Sequence, residues 1–194
     1  MGEKHMTKQD IRTQMLATLK GQSGPDPAAV AERICNLPEY RDAQFVLGYV
    51  PMRTEVDVSL VMDRAVSDGK AIAFPGPEPG MIMLACPRWR DNLVTLPNKT
   101  KTVDSSDVLN INQISGRMHL SEKHKGLILV PGLAFTEFGT RLGRGAGYYD
   151  ELLGLMGKAL LADFISIGIC RKTQLVDELP QQPHDKKVRM VIAF

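Results

Sequence analysis

The sequence predicts an α/β fold in which helices cover a largely parallel central sheet. Apolar runs of strand length, at residues 45–50, 70–74, 127–130 and 164–170, alternate along the chain with segments of helical periodicity. This alternation is typical of parallel sheets, because parallel strands need long crossover connections that are usually helices. The 194 residues, 43% of them hydrophobic, suffice for a proper core, and we expect one domain over residues 1–194.

The first helix is predicted to begin after Thr7, whose side chain can cap it, and Asp10 favours the positive end of its dipole. Three apolar residues at four-residue spacing form the face that packs inward: Ile11, Met15 and Leu19. Lys8 and Arg12 are also four residues apart and share another face. Considered alone, two such charges are most simply an exposed basic patch.

The following elements alternate as the fold class requires. A second helix is predicted to begin at Pro27 and to end at Pro38, because proline suits a first turn but cannot continue a helix. A strand follows at residues 45–50. After a third helix, residues 70–74 and 81–85 are predicted to be neighbouring strands joined by a turn rich in proline and glycine.

Glu55 lies in the loop between the strand at residues 45–50 and the third helix, which Asp57 can cap and Gly69 can end. In α/β sheets, ligands bind beyond the carboxyl ends of the strands, and this loop is at such an end. A single glutamate on a loop is usually only solvated. The residues alone therefore leave both a binding role and a solvated carboxylate open for Glu55.

Residues 86–125 are predicted to be a loop or an irregular excursion, because the centre of this stretch is polar. Trp89, the only tryptophan of the chain, has two possible roles: stacking on a flat ring, or packing, which is the ordinary one. His119 and His124 are assigned no role.

Residues 127–153 are the most informative stretch, since a strand, a glycine-rich loop and a helix follow one another there. Arg141 and Arg144 lie among five glycines, and Asp150 closes the loop before a helix predicted over residues 151–161. Glycines let backbone N–H groups surround a phosphate, and the planar fork of arginine matches phosphate oxygens. Asp150 is an oxygen ligand of the kind that Mg²⁺ uses. The stretch predicts a phosphate site, with a glycine-rich surface turn as the alternative.

A second carboxylate comes near the end of the chain. His184 and Asp185 lie between the strand at residues 164–170 and a final strand predicted at residues 188–194. Judged from the residues alone, Asp185 is most simply a solvated turn residue.

Composition excludes several classes of function. The chain has 24 basic and 22 acidic residues without a long basic run, which argues against nucleic-acid or membrane partners. No apolar stretch approaches the roughly 18 residues of a membrane span, and the N-terminus lacks the apolar core of a signal peptide. Cys35, Cys86 and Cys170 fit reduced thiols rather than disulfides or a zinc site. We expect a cytoplasmic monomer.

The run VPGLAF…GTRLGRGAGYYD at residues 130–150 closely resembles the signature of 5-formyltetrahydrofolate cyclo-ligases, also called 5,10-methenyltetrahydrofolate synthetases. The resemblance implies a three-layer α/β/α fold related to the ribose-phosphate isomerase and CoA-transferase group. It also implies ATP- and Mg²⁺-dependent ring closure, with ATP and a reduced folate as partners. In that reaction the formyl oxygen is phosphorylated, N10 attacks, and ADP and phosphate are released.

The resemblance also assigns roles to individual residues. It implies that Lys8 and Arg144 act in catalysis, that Asp150 and Asp185 hold Mg²⁺, and that His184 is structural. The folate-binding residues that it implies are Tyr49, Pro51, Glu55 and Tyr148. The ATP-binding residues that it implies are Lys8, Arg12, Arg141, Leu142, Gly143, Arg144, Gly145, Ala146, Gly147, Tyr148, Tyr149 and Asp150.

Residues 86–125 depart from the family pattern. Relatives carry an aromatic or similar residue there, followed by glycine, isoleucine and a proline-containing turn that contributes to the folate pocket. Two alternatives therefore stay open. One is a divergent member that binds nucleotide or folate without turnover, and the other is an ATP-dependent ligase or kinase that acts on a non-folate substrate.

Overall fold

A seven-stranded sheet forms the centre of the protein. The computed structural model describes residues 6–78, 81–85, 87–95, 101–105, 108–110, 125–156 and 163–194. The strands are β1 (Phe45–Leu47), β2 (Ala71–Pro75), β3 (Met81–Ala85), β4 (Leu93–Thr95), β5 (Lys101–Val103), β6 (Val108–Asn110), β7 (Gly126–Val130), β8 (Ala134–Phe135), β9 (Arg141–Leu142), β10 (Phe164–Cys170) and β11 (Met190–Ala193). The helices are α1 (Lys8–Leu19), α2 (Pro27–Cys35), α3 (Pro38–Asp42), α4 (Ser59–Ser67) and α5 (Tyr148–Met156), with 3₁₀ turns at Trp89–Asn92 and Lys172–Gln174.

The order of strands in the central sheet is β11-β10-β7-β1-β2-β3-β6. The strands from β11 to β2 all run parallel, β3 is antiparallel to β2, and β6 is antiparallel to β3. Two small antiparallel pairs, β4–β5 and β8–β9, lie outside this sheet. The prediction of a largely parallel sheet is confirmed.

The sheet is the middle of three layers, as the resemblance implied. On one face, Val46 and its neighbours pack in a cluster with Val30 of α2 and Met62 of α4. On the other face, Phe45 and Leu47 belong to a cluster that includes Leu152 of α5. Successive side chains of a strand point to opposite faces, so the short run of β1 contributes to both layers of the core.

Helix α1 confirms the prediction made from its cap and its spacing. The hydroxyl of Thr7 and the carboxylate of Asp10 form a reciprocal capping box at the start of the helix. The apolar face of α1 is buried against Leu133, which directly precedes β8, and Leu142, which is part of β9. This packing fixes the first turn of α1 beside the glycine-rich loop.

Two element boundaries and the content of one loop differ from the predictions. Pro38 does not end the second helix but starts α3, as the first residue of a new turn. Residues 148–150 do not close the loop, because α5 already begins at Tyr148, directly after Gly147 with φ +69°. The loop between β7 and α5 is not wholly irregular, since it contains the β8–β9 pair. Residues 157–161 of the predicted helix lie outside the described residues.

The divergent middle of the chain contains strands as well as loops. Its described parts include β4, β5 and β6, and Trp89 in a 3₁₀ turn. Trp89 is buried against Phe74, and its indole N–H donates to Asp63 at 3.0 Å. Trp89 is therefore a packing residue. His119, His124 and Cys86 lie outside the described residues.

Cys35 and Cys170 are free thiols, as expected. Across the described ranges, no group of three or more His, Cys, Asp or Glu residues is arranged to hold a metal ion. None of the helices in those ranges has the length and apolarity that a bilayer crossing requires.

Gly139→Ala is expected to lower the free energy of unfolding by about 3 kcal/mol, measured by urea denaturation. Gly139 has φ +82°, and an added Cβ would overlap the carbonyl oxygen of Val188. Left-handed strain of about 1–2 kcal/mol therefore adds to a steric conflict with backbone. Gly21→Ala is the matched control, since Gly21 has φ +94° but no atom within 4 Å of an added Cβ. A loss of about 1 kcal/mol is expected there; equal losses would contradict the steric contribution.

Candidate functional site

A cavity of about 280 Å³ lies at the carboxyl edge of the parallel strands. Its wall includes Tyr49 after β1, Pro75 at the end of β2, and Pro131 after β7. This is the edge at which sheets of this kind bind ligands, because the loops that leave the strands converge there.

Every predicted site residue except Pro51 lines this cavity. Four lining residues that were not predicted as site residues also carry polar or flexible side chains: Met52, Lys101, Gln182 and His184. Met52 and Gln182 are sequence neighbours of Glu55 and Asp185, so proximity to a motif could have indicated them. Lys101 lies in the divergent stretch, where no motif indicated it.

The glycine-rich loop has a backbone that only glycine adopts readily. Gly145 and Gly147 have φ values of +109° and +69°. The Nε of Arg12 donates to the carbonyl oxygen of Gly143 at 3.0 Å, and the Arg12 guanidinium lies close to Gly145. Helix α1 thus holds the loop through a side chain that also lines the cavity.

Lys8, at the start of α1, and Asp185, before β11, form an ion pair with Nζ 2.5 Å from Oδ2. The same ammonium donates to Oε1 of Gln182 at 3.3 Å, and the N–H of Gln182 donates to Asp185 at 2.6 Å. Burial alone would raise the pKa of Asp185, but the hydrogen bonds from Lys8 and Gln182 outweigh it, and the pKa lies below its ordinary value.

Arg141 and Asp150 form a second ion pair, with Nη2 3.0 Å from Oδ2. The Arg141 side chain is only 4% exposed, and its guanidinium carbon lies 5.5 Å from the ring centre of Tyr149. The other oxygen of Asp150 accepts the N–H of Lys186 at 3.0 Å. Asp150 therefore neutralises a buried cation and ties α5 to the segment that carries Asp185.

Arg144 extends across the cavity to the loop that carries Glu55. Its Nη2 donates to the hydroxyl of Thr54 at 2.6 Å, and its Nε is 3.6 Å from Oε1 of Glu55. The second oxygen of Glu55 accepts the N–H of Met52 at 2.9 Å. Burial raises the pKa of Glu55 above its ordinary value, although Met52 and Arg144 partly oppose the shift.

The three tyrosines of the wall have different surroundings. The hydroxyl of Tyr148 accepts the N–H of Gly76 at 2.8 Å and donates to the carbonyl of Met81, which ties α5 to the β2–β3 turn. The hydroxyl of Tyr49 donates to the carbonyl of Val56 at 2.9 Å. The buried hydroxyl of Tyr149 has no hydrogen-bond partner among the described residues.

The side chains of the cavity suit chemistry that depends on charge stabilisation and on the alignment of bound groups. Its described lining contains five basic and three acidic side chains, and no serine, threonine or cysteine. A covalent nucleophile of the serine or cysteine type is therefore not supplied by these residues. Fixed cations and glycine amides can instead bind a polyanion and stabilise charge that develops on it.

Comparisons with known proteins agree on one family. A family model described as the 5-formyltetrahydrofolate cyclo-ligase family matches residues 4–193. A probable 5-formyltetrahydrofolate cyclo-ligase of Schizosaccharomyces pombe is 27% identical over 174 residues, covering 84% of this chain and 81% of that protein. The 5-formyltetrahydrofolate cyclo-ligase of Mus musculus is 22% identical over 194 residues, covering 95% of this chain and 92% of that protein.

A solved structure shares the fold. The NMR structure of the Aquifex aeolicus 5,10-methenyltetrahydrofolate synthetase has a TM-score of 0.72 and 24% sequence identity, and the match covers 97% of this chain and 90% of that one. The three-layer arrangement around a largely parallel sheet is therefore found in an experimental structure as well.

Proposed function

Because the chain belongs to the 5-formyltetrahydrofolate cyclo-ligase family, we propose that it converts 5-formyltetrahydrofolate to 5,10-methenyltetrahydrofolate with ATP as co-substrate. One observation carries the proposal: Arg144 of the glycine-rich loop reaches Glu55 on the other wall of the same cavity. A basic glycine-rich loop that faces a largely buried carboxylate on the opposite wall suits a reaction between a nucleotide and a second substrate.

The proposed reaction has two steps. The formyl oxygen attacks the γ-phosphorus of ATP, the bond from that phosphorus to the ADP oxygen breaks, and ADP leaves. N10 then adds to the activated formyl carbon, loses its proton and expels phosphate. The first step turns a poor leaving group into a good one, so the enzyme needs alignment and charge stabilisation rather than a covalent intermediate on the protein.

The basic side chains would act on the triphosphate. In this proposal Arg144 and the amides of the glycine-rich loop bind the phosphates, and Arg141 adds positive charge from beneath. Lys8 and Arg12 reach the same space from the first turns of α1, and both line the cavity. Lys8 would exchange its bond to Asp185 for one to a phosphate oxygen.

Asp150 and Asp185 fit the magnesium ion of a nucleotide better than a resident metal. Both line the cavity, and no third acidic or histidine side chain joins them in a metal-binding group within the described residues. Mg²⁺ commonly takes one or two carboxylates and completes its shell with phosphate oxygens and water. We propose these two aspartates as its protein ligands; the ion would supply positive charge that offsets the charge of the phosphates.

The opposite wall would bind the folate. The Glu55 side chain is only 11% exposed and is held by Met52 and Arg144, so its free lone pairs are fixed in direction. Tyr49 and Tyr148 line the cavity while their hydroxyls are bound to backbone. A flat, partly apolar ring system with polar edges suits such a wall. Pro51 would act only through the backbone of this loop, since it does not line the cavity.

The test is a turnover assay with MgATP and 5-formyltetrahydrofolate, following the absorbance of the methenyl product and the release of phosphate in equal amounts. We expect both signals to rise together and to depend on Mg²⁺. Tight nucleotide binding without either signal would favour a binding protein without turnover. Phosphate release with other small acceptors, but not with the folate, would favour a ligase or kinase for another substrate.

Glu55→Gln is expected to lower kcat/KM for the folate about tenfold or more and to stabilise the fold at neutral pH. Because burial raises the pKa of Glu55, the folded protein keeps this proton at pH values where the unfolded chain has lost it. The stability that this provides is present at acid pH and lost as pH rises through the folded pKa. Glutamine carries no charge and avoids that loss.

Urea unfolding of both proteins between pH 4 and pH 8, at about one-unit steps, measures this effect. The gap in unfolding free energy should widen in favour of Glu55→Gln as pH rises. Glu32→Gln changes an exposed glutamate of α2 and should give parallel curves. Parallel curves for Glu55→Gln as well would contradict the assigned cost of burying this carboxylate.

A further inference from the structure

We propose that Lys101 determines specificity by binding a carboxylate of the substrate's glutamate tail at the rim of the cavity. The inference rests on the proposed function, because it takes the reduced folate as the second ligand. It adds a residue from the divergent stretch, for which the sequence offered no role.

The position of Lys101 is fixed by its neighbour. The buried hydroxyl of Thr102 donates to the carbonyl of Pro75 at 2.6 Å, which holds β5 against the end of β2. Successive residues of a strand point to opposite sides, so Thr102 faces inward while Lys101 is exposed and lines the cavity.

Lys101 lies away from the proposed phosphate site. It borders the β2–β3 side of the sheet, next to Pro75, whereas the glycine-rich loop follows β7 and Asp185 precedes β11 at the far edge. Tyr49 follows β1, which lies between β7 and β2 in the sheet, and the hydroxyl of Tyr148 reaches the β2–β3 turn, so both line the wall along this direction. A ligand that binds along this wall has one end at the phosphates and the other end at Lys101.

Lys101 also differs from the other cations of the cavity in its surroundings, since no described carboxylate pairs with it. Lys8, Arg141 and Arg144 each face a carboxylate, and Arg12 donates to a carbonyl. Within the part of the chain that the structure describes, the ammonium of Lys101 has neither a hydrogen-bond nor an ion-pair partner. Its charge is therefore available to an anionic group of a ligand.

The proposed substrate supplies such a group. A reduced folate consists of a pterin ring, an aminobenzoyl group and one or more glutamates, so its free carboxylates lie at the end remote from the formyl group. If the formyl group faces the γ-phosphate, the tail extends from the glycine-rich loop toward the opposite rim. A flexible lysine with three donors suits a carboxylate there, where solvent competes and no planar fork is required.

Lys101→Met tests the assignment with three substrates: 5-formyltetrahydrofolate with one glutamate, its polyglutamate form, and the pteroate analogue that lacks glutamate. We expect KM to rise about three- to tenfold for the two glutamate-bearing substrates. The penalty should shrink below about twofold for the pteroate, and KM for ATP should not follow. Lys101→Arg should restore most of the affinity, since it keeps the charge. Lys125→Met, which removes an exposed lysine before β7, is the matched control.

An equal penalty on the pteroate would overturn the inference, as would no penalty on any substrate. A rise in KM for ATP alone would assign Lys101 to the nucleotide instead. Equilibrium dissociation constants for the same three ligands keep the two proposals apart. If the wild-type protein binds folate without turning it over, the proposed reaction fails, while the tail-dependent effect of Lys101→Met on binding still decides this inference. Absence of folate binding overturns both.

Discussion

Asp150→Asn is expected to remove nearly all turnover and also to lower the free energy of unfolding. In the proposed reaction the variant lacks one of two magnesium ligands, and kcat should fall by about two orders of magnitude or more. It also leaves Arg141, whose side chain is 4% exposed, without its carboxylate. The free energy of unfolding should drop by about 2 kcal/mol, since a buried charge then keeps only a neutral partner.

The two effects can be measured separately. Urea unfolding gives the change in stability, and a titration of activity with Mg²⁺ at saturating ATP gives the change in metal requirement. Asp163→Asn is the control, because Asp163 is an exposed aspartate before β10; both measurements should stay at wild-type values. Full activity of Asp150→Asn at the ordinary Mg²⁺ concentration would refute the role of Asp150 as a metal ligand.

A double-mutant cycle tests whether Asp150 and Asp185 act on the same ion. Asp185→Asn removes the partner of Lys8 and should also raise the Mg²⁺ concentration needed for half-maximal activity. If both carboxylates bind one ion, the double variant should be little worse than the more damaged single variant, because the shared function is lost once. Additive losses in kcat would place the two carboxylates in independent roles.

Arg144→Ala is expected to lower kcat/KM by about two to three orders of magnitude while the protein stays folded. Its side chain is 38% exposed and makes its contacts with Thr54 and Glu55, on the far side of the cavity. Loss of the guanidinium should weaken ATP binding most. A smaller loss of folate affinity should accompany it, since Glu55 loses its neighbouring cation and its raised pKa is no longer opposed from that side.

Steady-state kinetics with each substrate varied in turn measure this pattern. Arg144→Lys should recover part of the loss, because it keeps the charge but not the planar fork. Arg90→Ala removes another partly exposed arginine, one paired with Asp63 outside the cavity, and should leave both KM values unchanged. Folate binding weakened more than ATP binding in Arg144→Ala would mean that the two ligand positions are exchanged.

Local signals account for the parts of the fold that the sequence predicted. The capping box of Thr7 and Asp10 marks the start of α1, and the spacing of the apolar residues marks its buried face. The buried strand β7 and the exact extent of β10 follow from apolar runs bounded by turn residues. Such features are predictable because each depends on neighbouring residues.

The β8–β9 pair and the surroundings of Arg141 depend on tertiary contacts and were not predictable in the same way. The pair has only two residues per strand, so periodicity has no room to show. Arg141 was predicted as a phosphate ligand in a loop; the structure places it at the cavity but buries it against Asp150 and Tyr149. Burial of a loop residue follows from what packs over it, which no local pattern encodes.

The candidate site likewise contains residues that a local motif indicates and residues that only tertiary contacts bring together. Residues 141–150 form one continuous motif, so the sequence could indicate them as a set. Lys8 and Asp185 are 177 residues apart, and only the family resemblance joined them before the structure placed them in contact. Lys101 belongs to no motif, and its place at the rim depends on the bond between Thr102 and Pro75.

The excess of positive charge in the cavity has a consequence for which form of the nucleotide the protein should prefer. Five basic and three acidic side chains leave a surplus of two positive charges. MgATP carries about two negative charges at neutral pH and free ATP about four. The magnesium complex therefore balances the positive surplus of the cavity, whereas free ATP would leave a net negative charge there. If the cations exchange carboxylates for phosphate oxygens, the released carboxylates need a countercharge, and the metal brings it. Metal-free ATP should therefore be a poor ligand even before any chemistry begins.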